Sequence, residues 1–274
     1  MNKQLILIFL FFSIFTARTG AQLITMSNKC YDRVKLGNKQ LDSTNFKSAL
    51  STFDAVLANC TTKDAKEQGN LGRARALNGL KRYDDAIANA SASITASKKS
   101  NVMAYYTRSF AYKKTGKLDS ARADLEQVTA LTAKNKDVKA RATMFAQLAD
   151  VDASQGMLPE ARDNLAKAIQ IDPNNPSFYV QRGDLAARQN NYGEAFTDYD
   201  RAVSMGKADA DMYQIRTNAR IRQMQHKYNT TNASDLARKM TATEKEQVCK
   251  ELNKASSLGM RNMQLDLFST MICK

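Results

Sequence analysis

The side chains that could carry acid–base or metal chemistry are few in this chain of 274 residues. It contains one histidine, His226, in the polar stretch RQMQHKYN, and a lone histidine without a cluster of Cys, His or carboxylate ligands does not make the usual zinc site. A serine–histidine–aspartate triad would have to use that same residue, and the sequence has no GxSxG, HExxH, P-loop or GxGxxG motif. The sequence therefore predicts a protein that is not an enzyme and that uses no metal or cofactor.

Two groups of neighbouring carboxylates are the other candidates for chemistry. Asp84/Asp85 and Asp198/Asp200 fall on or beside stretches with helical periodicity, with Lys or Arg nearby in the sequence. Charged residues in such a setting usually lie on a solvated face. We therefore interpret both groups as solvated faces rather than as general acids or bases.

An export signal is predicted at the N-terminus. The apolar run LILIFLFFSIF (5–15) follows a basic residue, and Thr19 and Ala21 then occupy the −3 and −1 positions of a cut before Gln22. This pattern predicts a secretory signal peptide over residues 1–21. An uncleaved membrane anchor is the alternative, but the run is shorter than the roughly 20 residues that cross a bilayer. The mature protein is expected to be secreted, with no membrane span after cleavage.

Export changes the interpretation of the four cysteines, Cys30, Cys60, Cys249 and Cys273. An even count in an oxidising compartment predicts two disulfides, and the count alone leaves three pairings open. Free, buried thiols are the alternative. The sequence has no CxxC pair, so thiol–disulfide catalysis is not expected.

The charge is strongly basic, with 41 Lys and Arg against 27 Asp and Glu and a formal net charge of +14. The excess is spread along the chain and forms no dense basic block. Outside the cell, the expected counterparts of such a surface are acidic proteins, anionic glycans or a membrane surface. Nucleic acid is not expected as a partner, although a basic protein often binds it.

A small residue recurs at a nearly constant interval and leads a helical stretch each time. These residues are Ala49, Ala86, Ala121, Ala161 and Ala195, which are 37, 35, 40 and 34 residues apart. An aromatic residue or leucine stands three positions earlier (Phe46, Tyr83, Leu118, Leu158, Tyr192), and a small residue stands twelve positions earlier (Gly37, Ala74, Ser109, Ala149, Gly183). Small residues let two helices approach and aromatic residues fill the gaps, so the pattern predicts antiparallel helical hairpins that stack on their neighbours.

Local signals predict where the helices begin and end. Gly116 and Gly156 fit the left-handed position that follows a helix end. In the other units the same place is taken by Thr44, Lys81 and Asn190. Thr241 and Glu244 form a capping-box pattern, which predicts the start of a helix there.

Three stretches resemble the tetratricopeptide-repeat (TPR) family: YYTRSFAYKKTGKLDSARADLEQV, FAQLADVDASQGMLPEARDNLAKAIQIDPNN and YVQRGDLAARQNNYGEAFTDYDRAV. The resemblance implies an all-α fold, a right-handed superhelical solenoid of TPR helix-turn-helix hairpins. The expected boundaries are an N-terminal extension at 22–29, repeats at about 30–63, 67–100, 102–135, 142–175 and 176–209, the first helix of a sixth unit at 210–228, a polar loop at 229–240, and a divergent last repeat with a capping helix at 241–274.

The end of the chain resembles a narrower group within this family. Secreted bacterial TPR proteins often finish with a Cys-containing repeat and a short helix that ends in Cys, and VCKELNKASSLG and DLFSTMICK are similar to that outline. Leu252 stands where the group often has tryptophan. The resemblance implies a Cys249–Cys273 disulfide and a periplasmic or cell-surface location. Cys30 and Cys60 would then meet at one end of the first antiparallel hairpin.

In this family the first helices of the hairpins line a concave groove that binds another polypeptide. Carried over to this chain, the resemblance implies the groove residues Tyr106, Phe110, Lys113, Lys114, Gln147, Asp150, Gln181, Asp184, Arg188, Asn218 and Arg222. The two rings beside two lysines would suit an extended peptide that carries a carboxylate. An ordinary hydrated surface is the alternative at these residues.

Together these features predict a non-enzymatic protein–protein interaction scaffold of the cell envelope, with a preorganised groove for a partner polypeptide. One alternative is a structural or assembly factor that acts by self-association or through the convex face. A glycan-binding protein or an enzyme is the other alternative. Glycan binding would require solvent-exposed rings at Tyr106 and Phe110.

Overall fold

The computed structural model describes residues 26–273, and every regular element in that range is an α-helix. The predicted signal peptide, residues 1–21, lies outside the described residues. Fourteen helices follow one another in the described range: α1 Asn28–Asp42, α2 Phe46–Asn59, α3 Lys63–Gly79, α4 Tyr83–Ala96, α5 Val102–Lys114, α6 Leu118–Thr132, α7 Val138–Ser154, α8 Leu158–Ile171, α9 Pro176–Arg188, α10 Tyr192–Ser204, α11 Ala210–Tyr228, α12 Ala233–Lys239, α13 Ala242–Ser257 and α14 Met263–Ile272.

The chain divides into two compact units at Met157 and Leu158. In the first unit, α1–α2, α3–α4 and α5–α6 form hairpins that pack in succession, and α7 packs on α6. In the second unit, α9 and α10 form a hairpin, α11 packs on α10, and α13 packs on α11. Each hairpin has the short connection that antiparallel neighbouring helices require.

The turns inside the hairpins share one backbone conformation. Gly116 and Gly156 have φ of 75° and 78°, which confirms the left-handed position predicted for them. Thr44, Lys81 and Asn190 adopt the same region, with φ between 57° and 62°. The left-handed turn conformation is therefore common to these five positions, whether or not glycine is present.

The recurring small residues form the core, as the repeat pattern predicts. All five leading alanines are fully buried. A Cβ atom added to Gly37 would come within 2.6 Å of the Phe53 ring, and one added to Gly183 would come within 2.6 Å of the Tyr199 ring. The helices of these two hairpins thus approach closely because the position twelve residues before the alanine has no side chain.

Each of the two units contains one disulfide. Cys30, in the first turn of α1, is bonded to Cys60 at the end of α2. Cys249 of α13 is bonded to Cys273, which follows α14. No cysteine in the described residues is free.

The polar loop predicted at 229–240 is wrong over most of its length, because α12 occupies residues 233–239. The Asn232 side chain accepts a hydrogen bond from the Asp235 backbone and caps this helix. Leu236 is fully buried against α11, α13 and α14, so the segment has an apolar anchor that its polar composition conceals. The capping box of Thr241 and Glu244 is confirmed at the start of α13.

The N-terminal extension predicted at 22–29 also ends earlier than expected. α1 begins at Asn28, and the hydroxyl of Ser27 accepts a hydrogen bond from the Cys30 backbone as its N-cap. Between residues 26 and 273, no helix combines the length and apolar character that crossing a membrane requires.

Candidate functional site

The predicted groove residues of α5 lie on one side of that helix, at positions 106, 110, 113 and 114. Asn101 caps the start of α5, because its side chain accepts a hydrogen bond from the Ala104 backbone at 3.0 Å. We call the surface formed by the first helices of successive hairpins in the first unit the helix-A face. It is formed by α1, α3, α5 and α7.

Three of the predicted residues lie together on the helix-A face. Lys113 of α5 forms an ion pair with Asp150 of α7, so the two helices are joined at this surface. Burial raises the pKa of Tyr106 to about 12, and the nearby Asp150 carboxylate acts in the same direction. Because Lys113 is paired, the positive charge available to a partner is smaller than the sequence alone indicates.

Phe110 and Lys114 form a second contact on the same face. The Lys114 ammonium lies 5.4 Å from the centroid of the Phe110 ring, and the Phe110 and Tyr83 rings form an edge-to-face contact with their centroids 6.4 Å apart. Lys114 is exposed, whereas Tyr106 and Phe110 are only half-buried. The rings are thus partly covered by protein, which does not match the exposed rings that glycan binding would require.

The helix-A face includes residues of the first two hairpins that the sequence analysis did not identify. Arg75 of α3 donates to the Asn38 side chain of α1 at 3.2 Å, and the Asn78 side chain donates to the Thr107 carbonyl of α5 at 3.0 Å. Burial lowers the pKa of Arg75 to about 10, opposed by Asp42. A sequence signal was present, since one position of the first helix precedes each leading alanine by eleven residues: Asn38, Arg75, Phe110, Asp150 and Asp184.

In the second unit, α9 and α11 bring several predicted residues near one another. Asp184 accepts a hydrogen bond from the Tyr199 hydroxyl at 2.9 Å. Burial raises the pKa of Asp184, while that hydrogen bond and the positive charges of Arg188 and Arg222 lower it. The second unit therefore carries a carboxylate that is close to a tyrosine hydroxyl and to the positive charges of two arginines.

Three predicted residues present amide side chains: Gln147 on α7, Gln181 on α9 and Asn218 on α11. All three are half-buried, and their side-chain amides form no hydrogen bond with another residue in the range 26–273. An amide group carries two donors and an acceptor, which match the backbone of an extended polypeptide.

The interpretation of Asp198 as a solvated carboxylate is wrong. Asp198 is buried and accepts two hydrogen bonds from Arg182, at 2.8 and 2.7 Å. The same bidentate pair joins Arg108 to Asp124, at 2.8 and 2.7 Å, where burial raises the pKa of Asp124 and Arg108 lowers it. Each pair links the two helices of one hairpin, so it is structural.

The other acidic candidates lie at the surface. Asp84 and Asp85 are exposed, and they pair with Lys117 and Arg82. His226 is exposed and lies 6.3 Å from the Tyr192 ring, measured between ring centroids. In the part of the chain that the structure describes, no group of three or more His, Cys, Asp and Glu residues is placed to hold a metal ion.

Family models for tetratricopeptide repeats match residues 104–135 and 149–189. The chain thus contains TPR repeats, and the prediction of an all-α solenoid of TPR hairpins is confirmed. It is similar to the human mitochondrial import receptor subunit TOM70, with 27% identity over 142 residues, which are 52% of this chain and 23% of that protein. The chain therefore spans about a quarter of that relative.

Two solved structures share the fold across most of the chain. Pseudomonas aeruginosa pilF has a TM-score of 0.62 and 13% identity, over 88% of this chain and 96% of that one. A TPR protein from Parabacteroides merdae has a TM-score of 0.61 and 16% identity, over 89% of this chain and 84% of that one. At these identities the likeness concerns the fold. TPR repeats generally serve as non-catalytic scaffolds for protein–protein interaction.

Proposed function

We propose that this protein is a non-enzymatic adaptor of the cell envelope that binds a partner polypeptide along its helix-A face. The observation that carries the proposal is the ion pair between Lys113 of α5 and Asp150 of α7. It joins side chains from two successive hairpins into one surface beside Tyr106. A surface held in place before binding loses less entropy when a partner binds.

The chemistry of the face favours an extended segment of polypeptide. Gln147 has an amide group whose hydrogen bonds are unused by the described residues, and it matches peptide backbone groups. Gln181 and Asn218 offer the same chemistry on the second unit. Lys114 next to the Phe110 ring can receive a carboxylate beside an apolar surface. The expected partner is therefore a polypeptide with at least one acidic residue.

The location in the envelope rests on two features of the chain. The predicted signal peptide, residues 1–21, would direct export, and two disulfides suit an oxidising compartment. The similarity of the last unit to secreted bacterial TPR proteins supports the same placement.

Site-specific cross-linking tests this proposal. A photo-reactive amino acid would replace Gln147 on the helix-A face or, as a matched control, the exposed Gln127 on α6. Each purified protein would be irradiated in an envelope extract. We expect one polypeptide to be cross-linked from position 147 and not from position 127, because only the first position lies on the proposed surface.

A charge variant provides the second arm of the test. Lys114→Glu should abolish the adduct at position 147, whereas Lys134→Glu, an exposed lysine after α6, should leave it unchanged. Equal adducts from positions 147 and 127, or equal loss with both lysine variants, would reject the helix-A face as the binding surface.

A second candidate function, an assembly factor that self-associates, is favoured by one observation. Met263, Leu267 and Met271 form an apolar stripe on α14 and are 80%, 55% and 47% exposed. A contiguous exposed apolar stripe is typical of an interaction surface. Light scattering over a concentration series would show a dimer that Leu267→Glu dissociates, and a monomer at all concentrations would reject this function.

A further inference from the structure

A cleft of about 750 Å³ opens in the second unit and includes none of the predicted groove residues. Its walls are α10 and α13, which contribute Asp200 on one side and Lys250 and Lys254 on the other. Its floor is α11, which contributes Arg216 and Arg220. This volume is within the range of about 300–1,000 Å³ that ligand pockets occupy.

Arg216 pairs with one carboxylate from each of the two walls. Its guanidinium donates to the two carboxylate oxygens of Glu251 at 3.0 and 3.1 Å, and it also pairs with Asp200. The two carboxylates of the cleft are therefore already used by one arginine.

Arg220 lies one helical turn after Arg216, and no carboxylate among residues 26–273 forms an ion pair with it. Its guanidinium carbon lies 3.6 Å from the centroid of the Phe196 ring, and one terminal nitrogen donates to Gln223 at 3.1 Å. Its Nε atom is buried and has no acceptor among the described residues. Burial lowers the pKa of Arg220 and the neighbouring charge of Arg216 acts in the same direction, whereas the Glu251 and Asp200 carboxylates raise it. A bound anion would add a further negative charge and an acceptor for the buried Nε atom.

Lys250 and Lys254 form a second basic row, four residues apart on α13. Both are exposed, and neither forms an ion pair within residues 26–273. The Lys254 ammonium lies 5.8 Å from the centroid of the Tyr213 ring, which lines the same cleft. The cleft thus combines an aromatic surface with three cations, Arg220, Lys250 and Lys254, that form no ion pair within residues 26–273.

We propose that this cleft binds an acidic segment of a polypeptide, with one carboxylate on Arg220 and further carboxylates along Lys250 and Lys254. Tyr213 and Val203 offer apolar contacts for a side chain between the acidic residues. Asp200 and Glu251 would repel a uniformly charged polyanion, which favours a peptide in which charged and apolar residues alternate. This site goes beyond the function proposed for the helix-A face, since it lies on different residues.

Fluorescence anisotropy with a labelled octapeptide, Glu-Asp-Leu-Glu-Asp-Leu-Glu-Asp, tests the assignment on the purified protein. Lys250→Gln/Lys254→Gln and Arg220→Gln should each weaken binding by about tenfold or more, because each removes charge-assisted hydrogen bonds. Lys134→Gln/Lys136→Gln removes the same charge from the loop after α6 and should change the affinity by less than about twofold.

One variant separates a binding role from a merely structural one. Asp200 is 68% exposed, and Asp200→Asn removes a negative charge that competes for Arg216. We expect this variant to bind the peptide more tightly than the wild type, which a damaged fold would not do. Unchanged or weaker binding by Asp200→Asn would overturn the assignment.

The remaining outcomes also decide between alternatives. Equal weakening by the two double-lysine variants would show that net charge alone attracts the peptide, and it would overturn the site. Tighter binding of a heparin fragment or an oligonucleotide than of the peptide, lost in the same variants, would overturn the choice of a polypeptide ligand. Lys114→Glu should leave peptide binding unchanged, so failure of this site and failure of the helix-A face are distinguishable.

Discussion

Arg216 on α11 is bonded to Glu251 on α13 across 35 residues of sequence, although the corresponding pairs Arg108–Asp124 and Arg182–Asp198 span only 16. In all three cases the acid follows the buried leading residue of a second helix by three positions. That leading residue is Ala121, Ala195 or Val248. Helices α11 and α13 therefore form a hairpin of the same type, with 19 additional residues that include α12.

The Arg108–Asp124 pair is expected to be required for stability. Asp124→Ala should lower the free energy of unfolding by about 3 kcal/mol, because it leaves a half-buried arginine without its partner. The apolar double variant Arg108→Met/Asp124→Leu should recover most of that loss. Urea unfolding followed by circular dichroism would measure both.

The exposed pair of Asp84 and Lys117 provides the control for this prediction. Asp84→Ala should change the free energy of unfolding by less than about 1 kcal/mol, since exposed ion pairs contribute little. If the double variant at Arg108 and Asp124 were as unstable as Asp124→Ala, the charge pair itself and not the unpaired arginine would be the source of stability.

Two glycine substitutions should differ clearly in their effect on stability. A Cβ atom on Gly72 would lie 2.2 Å from the Phe53 ring, so Gly72→Ala should destabilise the first unit by about 1–3 kcal/mol. Nothing lies within 4 Å of a Cβ atom on Gly193, so Gly193→Ala should be neutral or stabilise α10 by up to about 1 kcal/mol. Thermal unfolding of both variants checks the contrast.

The cause of the Gly72 effect is also testable. Phe53→Leu removes part of the ring that the new methyl group would meet, so Gly72→Ala should cost less in that background. Equal costs in the two backgrounds would show that the ring is not the obstacle.

The two disulfides are expected to stabilise the protein by similar amounts. They close loops of 30 and 24 residues, for which the chain-entropy relation gives about 3.5 kcal/mol each. Replacing Cys30 and Cys60 by alanine, or Cys249 and Cys273 by alanine, should lower the free energy of unfolding by roughly that amount. Peptide mapping without reduction would show the two pairs, and a Cys60 peptide linked to Cys249 would contradict them.

The hairpins were predictable because each depends on short-range signals. The leading alanines, the turn positions and the capping box of Thr241 all act within a few residues of the chain, and the same spacing repeats. The sequence analysis missed helix α12 because the helix is anchored by Leu236. The burial of Leu236 depends on residues of three other helices that lie twelve or more positions away in the sequence. Local polarity therefore indicated a loop where tertiary packing forms a helix.

The candidate site was predictable only in part. The position eleven residues before each alanine locates Phe110 and Asp150 on one face, but it does not show that Lys113 is already paired with Asp150. Pairing across 37 residues depends on how two hairpins stack. The same holds for the buried Asp198, whose partner Arg182 lies on the other helix of its hairpin.

The start of α13 should show a pH-dependent contribution to stability. Hydrogen bonds from Lys227, Tyr228 and Thr241 lower the pKa of Glu244 to about 2, from an ordinary value of 4.5. A carboxyl group with a lowered pKa stabilises the folded state fully above its unfolded value and loses that effect as the pH falls. The contribution of Glu244 should thus be complete above about pH 4.5 and disappear towards pH 2.

Glu244→Gln tests this dependence directly. At neutral pH the variant should unfold about 2–4 °C below the wild type, since a capping interaction contributes about 1 kcal/mol. The difference between the two proteins should shrink as the pH falls from 5 to 3, because Glu244 begins to lose its charge in the unfolded wild type. Glu246→Gln, a neighbouring exposed carboxylate on α13, serves as the control and should match the wild type throughout. A difference for Glu244→Gln that stays constant with pH would mean that the shape of the side chain, and not its charge, caps the helix.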